Sequence, residues 1–115
     1  MNNMMNAPPP NVSVILADTI RLENVSNDLI DSLKDLGAKE STINDEVVWI
    51  IDFGDDNDLA TKLQALNKMG VLFVGEPSGW PPAAIFTDLR ERKLLEGTFK
   101  EISWRGPRKW LVHEK

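Results

Sequence analysis

Apolar positions along the chain follow two rhythms, and the clearest is the near-continuous run Val47-Val48-Trp49-Ile50-Ile51-Asp52-Phe53. Six of its seven residues are apolar, mostly β-branched or aromatic, with charge before it and Gly54 after it. Such a run predicts a strand covered on both faces, placed at the centre of a sheet. Val12 to Ala17 and the short run Val71 to Val74 read as two more buried strands, with Asp18-Thr19 allowing a turn before Ile20-Arg21-Leu22. Between these runs the rhythm changes to helical spacing. Ser26 is a suitable N-cap, Val25 and Ile30 are placed as a hydrophobic staple, and Leu29, Ile30, Leu33 and Leu36 lead to Gly37 at the C-cap. Ala38 to Glu46 is polar and reads as a turn-like connection.

A second helix follows the acidic loop after Phe53, with Leu59, Leu63, Leu66 and Met69 on one stripe and Gly70 closing it. Pro81-Pro82 open a third, with Ile85, Phe86 and Leu89 inward and Gly97 at its end. Phe99 to Arg105 and Arg108 to His113 then form an antiparallel hairpin about Gly106-Pro107. The expected fold is a single small α/β domain over residues 12–115: β-α-β-α-β, a helix and a C-terminal hairpin, giving a mixed sheet. Residues 1–11, with four Asn and Pro8-Pro9-Pro10, are expected to be a disordered tail.

Charge divides this picture. Residues 1–89 carry five Lys/Arg against fourteen Asp/Glu, hence −9, and residues 90–115 carry eight Lys/Arg against four Glu, hence +4. An acidic body with a basic end points away from nucleic-acid binding by the body and towards a basic partner. The chain has no cysteine, which removes disulfides, thiolate metal sites and cysteine nucleophiles, and fits a reducing compartment. No apolar run approaches the roughly 20 residues of a membrane span, and Met1 to Asn11 lacks the pattern of a signal peptide. The expected location is the cytoplasm, without membrane association.

Three groups of residues carry candidate chemistry. Asp52, Asp55, Asp56 and Asp58 stand where open α/β sheets place ligands, and hard carboxylate oxygens there suggest a Mg²⁺-dependent enzyme. The spacing does not fit an EF-hand loop, and carboxylates also belong at a helix N-terminus for capping and dipole reasons. His113 is the only histidine and has no nucleophile near it in sequence. No motif with a catalytic mechanism is present, so neither an enzyme, a cofactor nor a metal is expected.

The second group, Trp104, Arg105, Arg108, Lys109 and Trp110, lies on the terminal hairpin. With the preceding segment Asp88 to Leu95, this end is similar to the end of a winged-helix domain, which implies a wing touching phosphates or the minor groove; the helix-turn-helix of such domains is missing. The third is Trp80 on a proline-stiffened loop, with Glu76 nearby. An immobilised tryptophan is a typical interface anchor, and equally a lid over the sheet end. The opening rhythm of strand, turn, Ile20-Arg21 and helix is similar to that of barstar-type inhibitors.

The leading expectation is a small acidic protein-binding domain: a bacterial immunity protein that neutralises a basic toxin or nuclease through Asp52, Asp55, Asp56, Asp58, Glu76 and Trp80. The alternatives are a nucleic-acid-binding regulator using the basic hairpin and the Mg²⁺-dependent enzyme.

Overall fold

A computed structural model describes residues 3–5, 9–75, 79–104 and 110–115, with residues 3–5, 104 and 110 described by backbone alone. Eight strands form one mixed sheet: β1 (Asn3–Met5), β2 (Val12–Ile15), β3 (Thr19–Glu23), β4 (Lys39–Ile43), β5 (Glu46–Asp52), β6 (Leu72–Val74), β7 (Lys100–Trp104) and β8 (Trp110–Glu114). Three α-helices connect them: α1 (Ile30–Asp35), α2 (Asp56–Lys68) and α3 (Pro82–Glu91). The fold is a single small α/β domain, as the alternation of rhythms predicts.

Strand order is β1-β8-β7-β6-β2-β3-β5-β4, and it corrects the placing of the apolar run at the centre. β5 is next to last, flanked by β3 and β4, both antiparallel to it. The centre belongs to β6 and β2, whose parallel pairing sets Val12 opposite Leu72 and Ser13 opposite Phe73. The buried Ser13 hydroxyl donates to Leu72 O at 2.9 Å, so the one buried polar residue of this seam is satisfied.

The polar stretch expected as a turn is strand β4 together with a two-residue hairpin loop. Asn44 (φ 52°) and Asp45 (φ 64°) are both left-handed, the conformation a tight hairpin turn needs at its two central positions, and Asn and Asp tolerate it. All five residues of β4 are exposed, so the strand carries no apolar periodicity.

Of residues 1–11, expected to be a disordered tail, residues 3–5 and 9–11 are described. Asn3–Met5 adds to the edge of β8, pairing Asn3 with Val112 and Met5 with Trp110. Asn11 (φ 59°) accepts from Ser26 N through its side chain at 2.9 Å, donates its own N–H to Asn24 O and accepts at its carbonyl from Leu72 N. Ser26 holds the expected N-cap position of the 3-10 turn Asn27–Leu29 that leads into α1, but its side chain makes no capping bond and is engaged by Asn11 instead.

All three helices pack on one face of the sheet. Ile15, Ile20, Leu22, Trp49, Ile51 and Phe73 from the strands meet Leu33 of α1, Leu59, Leu63 and Leu66 of α2, and Phe86 and Leu89 of α3 in one core. Phe73, Phe86 and Phe99 are fully buried and close-packed, Phe86 stacking on Phe99 at 4.5 Å and meeting Phe73 edge-on at 5.3 Å. Helix α3 ends at Glu91, six residues before the expected Gly97. Lys93 turns left-handed at φ 59°, Leu94 N bonds back to Leu89 O at 2.9 Å, and the chain delivers Leu95 and Phe99 into the core. The other face holds a smaller cluster of Leu72, Ile102 and Val112, with Val12 and Val74 against it.

Candidate protein-binding surface

The described residues proposed for binding lie on the segments that follow the ends of β5 and β6, and these segments are tied to β2 and the turn after it. Phe53 N donates to Asp18 O at 3.1 Å, and Trp80 N donates to Ile15 O at 2.8 Å. Gly79 makes the second tie feasible: a β-carbon there would stand 2.6 Å from Val14 Cγ1 and 3.0 Å from Ile15 O. Trp80 is therefore anchored by its backbone while the residue is 52% exposed. Its alternative role, a lid closed over the sheet end, does not match that exposure. Glu76 lies outside the described residues.

The aspartates of the α2 loop have partners inside the molecule. Asp55 is the N-cap, its carboxylate accepting from Asp58 N at 2.8 Å. Asp58 pairs with Lys62 at 3.0 Å and accepts from Gly54 N at 3.1 Å; the Lys62 bond, helped by the Gly54 N–H, holds its carboxyl below the ordinary range. Asp56 pairs with Arg92 at 2.7 Å, and Arg92 reaches Asp88 at 3.1 Å; the Asp56 bond first and then Asp88 raise the Arg92 pKa. Asp52 is exposed at the end of β5 and takes part in no ion pair among the described residues. Among the described residues no three of His, Asp and Glu come together as a metal site.

Strand order gives the charge division its spatial meaning. Residues 18–52, which build β3, α1, β4 and β5, carry nine Asp/Glu against three Lys/Arg, hence −6. The rest of the chain carries nine against ten, hence +1. The acids therefore collect at the β3-β5-β4 side of the sheet. Asp28, Asp31 and Asp35 around α1, Glu40 on β4, and Asp45 and Glu46 at the hairpin are all exposed and take part in no ion pair among the described residues. The pair β7–β8 lies across the sheet, with β6, β2 and β3 between it and β5.

On that far side, the β7–β8 hairpin forms as expected, with Trp104 and Trp110 as register partners; Arg105, Arg108 and Lys109 lie outside the described residues. Sequence reading missed one contact here: Ser103 Oγ lies 3.0 Å from His113 Nε2 across the hairpin. The two residues are ten apart and meet only through strand register. Among the described residues no hydrogen bond to a third side chain orients this imidazole, as the third member of a catalytic triad would.

Sequence reading also missed the edge strand β4, which sets Glu40 opposite Trp49, the ring that Lys34 of α1 approaches, and ends at exposed Ile43 (40%), with exposed Val47 (56%) on the neighbouring β5. The described residues contain no helix long and apolar enough to cross a membrane. No family model, curated protein or solved structure matches this chain.

Proposed function

We propose that this protein binds a basic protein and blocks its cationic surface, in the manner of a bacterial immunity protein acting in the cytoplasm on a toxin or nuclease. The observation that carries the reading is the set of unpaired, exposed acids on the β3-β5-β4 side, with a local charge of −6. Acids already spent on capping and internal pairing gain little from a partner, whereas unpaired ones attract cations over about a Debye length, roughly 8–10 Å. This shifts the emphasis from Asp55, Asp56 and Asp58 to Asp31, Asp35, Glu40 and Asp52. Trp80 supports the same reading as a rigid, half-exposed aromatic whose immobilisation costs little further entropy.

The test is affinity capture from native lysate at low and moderate salt, after nuclease treatment, with the bound material identified. A stoichiometric basic protein should be retained, released by salt, and associate about tenfold more slowly with a variant carrying Asp31→Asn, Asp35→Asn and Glu40→Gln. An unchanged on-rate would remove the acidic surface from the account. Recovery of nucleic acid in the untreated lysate alone would turn attention to Arg105, Arg108 and Lys109.

A further inference from the structure

We infer that the outer edge of β4 is a docking site for an extended, basic segment of the partner, which joins the sheet as an added strand. The inference rests on the acidic-surface reading above and specifies how that surface is engaged.

Backbone accounting carries it. The two-residue turn Asn44-Asp45 makes Ile43 and Glu46 the first hydrogen-bonded pair of the β4–β5 ladder, and such pairs alternate along an antiparallel ribbon. Ile43, Ser41 and Lys39 therefore spend their N–H and C=O groups on β5. Those of Glu40 and Thr42 point away from it, to the side where no described strand lies. Ala38 N is already bonded to Leu33 O, so the open stretch stops there. Two residues thus offer two donors and two acceptors, the pattern that an incoming strand completes.

The edge carries charge at Lys39 and Glu40 but no stronger protection. Its register runs without a bulge from Lys39 to Ile43, it contains no proline, and no described element covers it. Charge selects the occupant. Glu40 and Thr42 share the helix-covered side of the sheet with Trp49 and α1, whose exposed Asp31 and Asp35 outnumber the one cation, Lys34, that lies 5.8 Å from the Trp49 ring, and Val47 offers an apolar contact on that side. Ile43 offers another on the opposite side. A strand alternating Lys or Arg with β-branched residues matches both features.

The probe is the blocked peptide acetyl-(Lys-Val)₄-amide, with amide hydrogen exchange followed by NMR. At about ten times its Kd, exchange at the Glu40 and Thr42 amides should slow about tenfold, and a peptide N-methylated at alternate residues should not produce the effect. Thr42→Pro removes an outward N–H that β5 does not use, so it should leave the fold intact and abolish the protection. Unchanged exchange at Glu40 and Thr42 with the peptide bound would overturn strand docking. The captured partner separates this failure from failure of the wider reading. A basic protein lost with the Asp31, Asp35, Glu40 variant but retained by Thr42→Pro overturns the edge proposal alone, whereas absence of any basic partner overturns both.

Discussion

Replacing Gly79 by alanine probes the anchorage of Trp80 directly. The new methyl carbon would stand 2.6 Å from Val14 Cγ1, about 1 Å inside an ordinary carbon–carbon contact, and 3.0 Å from Ile15 O. Gly79 is not in the left-handed region, so the cost is steric rather than conformational. Val14 cannot withdraw: it is fully buried, β-branched and held in β2 between β3 and β6. Overpacking of this kind costs about 1–3 kcal/mol, and a central value of about 2 lowers the melting midpoint by about 8 °C in a domain of this size. Val14→Ala alone should cost about 1.6 kcal/mol for two lost carbons, before any cavity contribution. In the double variant the added methyl occupies the vacated space, so the two costs should fall short of their sum by about 1–2 kcal/mol. Equilibrium urea unfolding followed by circular dichroism measures all four proteins. Additivity within about 0.5 kcal/mol would refute the close approach of the two segments.

Three further outcomes follow from the geometry. Asp55→Ala removes the cap of α2 and should cost about 1 kcal/mol, with Asp55→Asn closer to the parent, as read by urea unfolding. Phe86→Ala opens the aromatic centre and should cost about 3–5 kcal/mol, whereas Ala at exposed Thr87 should change stability by less than about 0.5 kcal/mol. Asp58 has its folded pKa below the ordinary 3.8, so its contribution is present above that value and is lost as pH falls through the lowered one. Asp58→Asn should therefore be less stable than the parent at pH 7, and the gap should narrow when unfolding is repeated below about pH 4.

Much of the architecture is legible because buried elements leave periodic traces. The apolar runs gave β2, β5 and β6, the Leu59-Leu63-Leu66 stripe gave α2, and Gly37 and Gly70 take the left-handed conformation that their C-cap positions require. β4 left no such trace, since an edge strand exposed along its whole length has no reason to alternate. Its turn is equally quiet, Asn44-Asp45 lacking the glycine that marks most two-residue hairpins. The stop of α3 at Lys93 was obscured by a stronger glycine signal four residues later. Of the proposed contact residues, the helix-capping role of the acidic loop was readable from Asp55 and its position before a leucine stripe. The Asp58–Lys62 pair is an i,i+4 contact within α2, but the pairing of Asp56 depends on Arg92 arriving from the end of α3, and strand order alone decides where the charged segments lie.

The β2–β6 seam also orders the events of folding. β2–β3 and β4–β5 close through short turns, and β3 joins β5 across the α1 segment, so the acidic half can assemble from contacts near in sequence. Val12 and Leu72, by contrast, are sixty residues apart and carry a larger loop-closure entropy. During synthesis residues 12–52 can form an antiparallel half-sheet before β6 leaves the ribosome, its β2 edge open until Leu72 and Phe73 arrive. The acidic side would thus mature first, and the slow step that completes the domain falls on the pair sealed by Ser13.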